Sequence, residues 1–168
     1  MRLRGCHING YQLEMKRPLK TALGVFEHRF GVLLTLEDEF GNKGLGDACP
    51  VPGFSKENRI QAHQELQAFC ESNWNELEFD TPQEIAEYCA GLEVCSSARN
   101  AIEQALIDLM AKRAQLPLSK LLSGDASTTV ETGTLIENSL QAKESIGNGF
   151  NTLKLKVGML SIEEEIKN

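Results

Sequence analysis

Two hydrophobic periods alternate along the chain and divide it into three stretches. Over the first fifty residues the spacing is that of strands. Apolar positions alternate loosely over 7–13, and residues 30–36 (Phe-Gly-Val-Leu-Leu-Thr-Leu) form a β-rich run. Asp38-Glu-Phe-Gly-Asn42 is turn chemistry, because Gly41 and Asn42 tolerate positive φ, and residues 43–48 supply a short return strand. The pattern predicts a three-stranded antiparallel meander. Residues 17–24 (Arg-Pro-Leu-Lys-Thr-Ala-Leu-Gly) are too polar and broken for a strand, and residues 49–54 (Cys-Pro-Val-Pro-Gly-Phe) form a rigid second loop. Irregular loops on a small sheet are where binding residues concentrate.

The period then changes to 3.6. Ser55 is the expected cap of a helix running to about Asn73, with Ile60, Leu66, Phe69 and Cys70 on one side and Trp74 anchoring its end. Thr81-Pro-Gln-Glu84 is a capping box with proline at the first helical position. The third helix carries a broad apolar stripe, Ala98, Ala101, Ile102, Ala105, Leu106, Leu109 and Met110, with Ser96 or Ser97 as its cap and Pro117 as its stop. Such a stripe is core packing. Beyond it, residues 129–136 read as a strand and Asn138-Ser-Leu-Gln141 opens a helix that Gly147 to Gly149 close. Residues 152–157 read as a second strand, and Ser161-Ile-Glu-Glu164 is another capping box. This is the β-α-β-α rhythm of a parallel unit. Two parallel strands cannot cover both their faces, so further chain or a partner is expected over them.

Charge narrows the function classes. A formal charge of −7 without a Lys/Arg cluster repels phosphate backbones and disfavours nucleic acid. No apolar run is long enough to span a bilayer, and none follows the early arginines as in a signal peptide, so a cytoplasmic protein is expected. Five cysteines, an odd number without a C-x-x-C pair, argue for thiols rather than a disulfide framework or a zinc ribbon. His7, His28 and His63 have no metal spacing, and Lys43-Gly44-x-Gly46 fits no phosphate loop.

The informative chemistry is Lys154-Leu-Lys156. In a strand, residues i and i+2 share a face, so both ammonium groups project to one side while Leu153, Leu155 and Val157 take the other. Lysines near the C-terminal end of a parallel strand sit where barrel active sites are built. Desolvation and a like-charged neighbour lower a lysine's pKa and make it a base near neutrality. The alternative is an edge strand that carries lysines against aggregation.

Four phrases in order, GLGDACPVPGFSKEN, SARNAIEQALIDLMAK, PLSKLLSG and TLKLKVG, resemble the muconate-lactonising-enzyme subgroup of the enolase superfamily over essentially the whole chain. The resemblance implies an α+β capping domain over residues 1–125, a three-stranded meander plus helices. It implies the first β/α units of an incomplete TIM-type (β/α) barrel over 126–168. Lys156 then matches the family's acid/base lysine, which removes the proton α to a carboxylate, and Lys154 matches its electrostatic companion. Leu19, Thr21, Leu23 and Gly24, with Pro52 and Phe54, match the two cap loops that close over a small carboxylate substrate. Asp47 stands where the family has Glu after Gly-x-Gly and receives no role. A barrel needs about 250 residues, so Mg²⁺ is expected in the intact protein only, on ligands outside this chain, and the chain alone is expected to be inert. Its exposed strands would be covered by the rest of the barrel or by a second copy. Within the subgroup PLKTALG, Arg29-x-Gly31 and PVPGFS look most like the o-succinylbenzoate synthases, which dehydrate a cyclohexadiene carboxylate in menaquinone biosynthesis. Muconate cycloisomerases, dipeptide epimerases and N-acylamino-acid racemases share the frame. A stand-alone binding module descended from the cap is the non-enzymatic alternative.

Overall fold

The computed structural model describes residues 1–21, 24–155, 157–158 and 161–166, with Lys20 described by its backbone alone. The chain divides into two compact units, Met1–Ala126 and Ser127–Asn168.

The first unit is built on strands β1 (Leu3–Thr21), β2 (Gly24–Asp38) and β3 (Lys43–Ala48), antiparallel in the order β1-β2-β3. The expected meander is present, with one correction. Residues 17–21 continue β1 instead of forming a loop, pairing Leu19 with Phe26 and Thr21 with Gly24. Pro18 is accommodated because the register shifts between Glu14 and Leu19, a bulge where no ladder N–H is required of it. At the other turn Asp38, almost fully buried, accepts from the backbone N–H groups of Phe40 and Asn42 and from Asn42 Nδ2, each at 2.9 Å. Burial raises its pKa, but these donors outweigh burial and the net direction is down.

Helices α1 (Arg59–Glu71), α2 (Pro82–Ala90) and α3 (Ser96–Arg113) follow, then a short α4 (Leu118–Leu122). All seven stripe residues of α3 are buried, in one core with Leu3, Val32, Leu34, Leu36, Leu66 and Ile85. Trp74 donates its indole N–H to the Cys70 carbonyl at 2.8 Å and so ties down the end of α1. Thr81 caps α2 as expected, although Glu84 reaches back to the Asp80 N–H.

Several boundaries differ for local reasons. Asn58, not Ser55, caps α1, because the Ser55 hydroxyl is taken by the Val51 N–H. Ile60 is exposed rather than on the buried side. Neither Ser96 nor Ser97 caps α3. Its N-cap is Cys95, and the start of the helix is held from outside: Glu57 accepts from the Ser97 N–H (2.8 Å) and hydroxyl, and Glu65 from the Cys95 N–H (2.6 Å). At its C-terminus α3 ends before Pro117, in a Schellman arrangement with Gln115 at φ 54° and the Leu116 N–H on the Ala111 carbonyl. The cysteine reading is also corrected. Cys6 on β1 and Cys70 in the last turn of α1 form a disulfide across a Cα–Cα distance of 5.4 Å, leaving Cys49, Cys89 and Cys95 as thiols.

The contact between α3 and β3 explains the Gly-x-Gly sequence. Gly44 and Gly46 share the inner face of β3, and a Cβ on either would lie 2.0 Å from the Ala105 carbonyl oxygen or 1.8 Å from that of Ala101. Only glycine permits this approach. Side chains at four-residue intervals on α3 then satisfy the free backbone of β3. Asn100 donates to the Asp47 carbonyl, and Gln104 accepts from the Asp47 N–H. Asp108 accepts from the Leu45 N–H, and Lys112 donates to the Lys43 carbonyl, the four at 2.7–3.3 Å. A polar ladder on a helix thus covers a sheet edge that would otherwise be open to pairing.

In the second unit β4 (Gly133–Ile136) and β5 (Thr152–Leu155) are parallel and joined through α5 (Ser139–Gly147), and α6 (Ile162–Glu165) follows. The first of these strands is shorter than the expected 129–136. Asn138 caps α5, the chain leaves it through Gly149 at φ 90°, and Ser161 and Glu164 form the expected capping box.

Candidate functional site

The two predicted loops lie on the first unit. The first is the far end of the β1-β2 hairpin. Leu19 is half-buried opposite Phe26, and the Thr21 hydroxyl donates to the Gly24 carbonyl at 3.2 Å. Gly24 has φ +131°, which side-chain-bearing residues rarely adopt, so glycine suits this position. Leu23 lies outside the described residues. The second loop is folded on itself: Phe54 and Ser55 donate to the Val51 carbonyl at 3.0 and 2.9 Å, and the Ser55 hydroxyl accepts from Val51. Pro52 and Phe54 are left exposed.

Strand β2 and the second loop border a cleft of about 230 Å³ lined by Phe26, His28, Arg29, Phe30, Pro50 and Pro52, with Glu57, Asn58 and Arg59 at the start of α1. Pro52 is thus brought beside Phe26, the cross-strand partner of Leu19. Phe54, Leu19, Thr21 and Gly24 do not line it. The wall is largely apolar and aromatic, with the guanidinium groups of Arg29 and Arg59 and the carboxylate of Glu57; Arg59 lies 5.0 Å over the Phe30 ring. Such a surface suits a molecule with an apolar body and a few polar groups.

The base of the second loop is a polar cluster. Arg29 donates to the Cys49 carbonyl at 3.0 Å and to its Sγ at 2.9 Å, while that thiol donates to the Phe30 carbonyl at 3.2 Å. Tyr11 donates its phenol proton to Asp47, the two carboxylate oxygens lying at 2.9 and 3.0 Å. Burial foremost, then hydrogen bonding to Cys49 and Asp47, raises the Tyr11 pKa far above that of a free phenol, so it stays a donor.

In the second unit Lys154 is exposed on β5 in register with Leu135. Lys156 lies outside the described residues. Among the described residues no group of three or more His, Cys, Asp or Glu side chains is arranged to hold a metal ion. Among them, too, no helix is long and apolar enough to cross a membrane.

Sequence reasoning missed Tyr11, Glu57 and the cleft-lining role of Arg29. Tyr11 and Glu57 gave no local signal, because their partners are 36 and 40 residues away. Arg29 stood out only as part of Arg-x-Gly.

Comparison with known proteins supplies the context. Residues 8–123 match the family model described as mandelate racemase / muconate lactonizing enzyme, N-terminal domain. The hydrophobic dipeptide epimerase of Enterococcus faecalis is 28% identical, over 99% of this chain and 48% of its own length. The o-succinylbenzoate synthase of Geobacillus stearothermophilus is 28% identical, over 87% of this chain and 41% of its own. The crystal structure of the Enterococcus faecalis dipeptide epimerase, complexed with Mg and the dipeptide L-Leu-L-Tyr, superposes with a TM-score of 0.81 at 27% identity. It covers 99% of this chain and 48% of that one. The chain therefore spans about half the length of the curated relatives it matches.

Proposed function

Because this chain belongs to the mandelate racemase / muconate lactonizing enzyme family, within the enolase superfamily, we propose that it works as the substrate-closing part of an enzyme that removes a proton α to a carboxylate. The observation that carries this reading is the cleft that Pro50 and Pro52 of the second loop line together with Phe26, Phe30, Arg29 and Arg59. The first unit, residues 1–125 in the sequence reading, is the cap. Residues 126–168 open the catalytic barrel, and the exposed Leu135, Leu140, Ile146 and Leu155 are apolar surface that the rest of the barrel or a second copy would cover.

In this reading Lys156 takes the α-proton on its neutral amine. Lys154 supports it electrostatically and faces the developing negative charge on the substrate. Leu19, Thr21, Leu23 and Gly24, with Pro52 and Phe54, exclude water while the proton is held. The magnesium of the family would rest on carboxylates outside this chain. The described residues do not suit it, since none of their His, Cys, Asp and Glu side chains form a group of three or more that could hold a metal ion.

For the substrate we favour the o-succinylbenzoate synthase reaction, loss of water from a cyclohexadiene carboxylate. The Geobacillus stearothermophilus relative and the Arg29-x-Gly31 and PVPGFS phrases support it. Dipeptide epimerisation is the second reading, favoured by the Enterococcus faecalis relative that aligns with nearly the whole chain. Purified full-length protein incubated in D₂O separates the two. Dehydration consumes the diene chromophore, whereas epimerisation exchanges the α-proton of a dipeptide without consuming it. Neither change, with a panel of both substrate classes, would reject the proposal.

A further inference from the structure

The two polar contacts under the second loop share a geometry that packing alone does not require. Tyr11 on β1 is in register with Gly31 on β2, and Asp47 on β3 is in register with Leu33. In an antiparallel sheet paired residues share a face. Tyr11 therefore lies on the outer face and reaches diagonally across the whole width of β2 to the carboxylate. It can do so only because position 31 has no side chain: a Cβ there would sit 2.4 Å from the phenol carbon and oxygen. Two residues before Gly31, Arg29 reaches from the same strand to the carbonyl of Cys49, the residue that precedes Pro50. The Arg-x-Gly phrase thus has two jobs in one place. Its arginine grips the loop's first residue, and its glycine opens the path by which Tyr11 grips Asp47, two residues upstream.

We propose that Arg29 and Tyr11 are positioning residues for the loop of residues 50–54, clamping its entry to the sheet so that Pro52 and Phe54 are presented in one fixed arrangement. This gives Asp47 a role, since its short carboxylate meets the Tyr11 hydroxyl with both oxygens at near-equal distance. The functional consequence rests on the reading above, in which this loop covers the substrate. A loop held at its base loses less conformational freedom on closing, so the clamp favours binding and closure without touching the reacting atoms.

The test uses full-length protein and three variants: Tyr11→Phe, which keeps the ring and removes one donor, Arg29→Met, and the conservative Arg29→Lys. Hydrogen–deuterium exchange of the peptide containing Phe54 and Ser55 should be about fivefold faster in Tyr11→Phe and Arg29→Met, the factor expected for losing one net hydrogen bond. Arg29→Lys should recover part of the protection, and exchange elsewhere in the first unit should be unchanged. With whichever α-proton substrate is turned over, KM should rise about fivefold while kcat changes less. Unchanged loop exchange in both disruptive variants overturns the clamp. So does an increase spread evenly over the unit, which would mark a general loss of stability. Should the wild-type protein turn over no such substrate, the functional reading fails, and the exchange data still decide the clamp.

Discussion

Adding one methyl group at Gly46 should separate α3 from the sheet. A Cβ at that position would lie 1.8 Å from the Ala101 carbonyl oxygen, against about 3.4 Å for ordinary contact, so the helix must move by about 1.6 Å. That oxygen belongs to backbone inside a buried helix and cannot swing aside. Overpacking of this kind costs about 1–3 kcal/mol. The movement also stretches the two rungs nearest it, Gln104 to the Asp47 N–H and Asn100 to the Asp47 carbonyl, each worth roughly 0.5–1.5 kcal/mol net. Gly46→Ala should therefore destabilise the chain by about 2–6 kcal/mol, a large part of the 5–15 kcal/mol typical of a domain. The assay is urea unfolding followed by far-UV circular dichroism, where this corresponds to a fall in midpoint of about 1–3 M at a slope of about 2 kcal/mol/M. Gly10→Ala is the control, because a Cβ there meets nothing within 4 Å. If both variants unfold at the same urea concentration, the explanation of the Gly-x-Gly phrase by close helix approach is wrong.

Three thiols should react with Ellman's reagent in the urea-unfolded chain before reduction and five after it, since Cys6 and Cys70 are joined. With a separation of 64 residues, reducing that bond should lower stability by about 4 kcal/mol in the loop-entropy account, measurable by unfolding with and without reductant. In the native chain the buried Cys89, whose thiol burial pushes up to about 12, should be the slowest to react. Glu57→Gln should cost about 1–2 kcal/mol by weakening the charged bonds at the start of α3. Bonding to Ser97 foremost lowers the Glu57 pKa, so its contribution is present above the unfolded carboxylate pKa of about 4.3 and lost as pH falls below it. The variant's stability should accordingly fall less steeply than wild type between about pH 5 and 3; equal acid limbs would remove Glu57 from the pH dependence.

Periodicity made the elements legible and tertiary contacts set their limits. The α3 stripe was readable because seven apolar residues at helical spacing admit no other arrangement in water, and all seven are buried. Its start was not, because the groups that hold it, Glu57 and Glu65, belong to distant segments and compete successfully with the local serines. Residues 17–21 looked like a loop by composition, yet pairing with β2 extends the strand through them once the bulge releases Pro18 from the ladder. The Cys6–Cys70 bond joins residues too far apart for any spacing rule. At the site, Pro52 was legible as part of a rigid loop, whereas its neighbours in the cleft, Phe26 and Arg59, come together only through the hairpin and the start of α1. Strand spacing put Lys154 and Lys156 on one face, and the resemblance to a family implied the acid/base role of Lys156 and the electrostatic role of Lys154.

The proposed activity is removal of a proton α to a carboxylate with Lys156 as the base. Its most direct measurement is solvent deuterium incorporation or turnover by full-length Lys156→Arg against wild type, with the substrate class that wild type accepts. Arginine keeps the charge but stays protonated at any working pH and cannot accept the proton. A positioned base is worth about 10² to 10⁴ in rate. The expected result is a folded variant that still binds its carboxylate substrate and loses activity by at least that factor. Near-wild-type turnover by Lys156→Arg would contradict it.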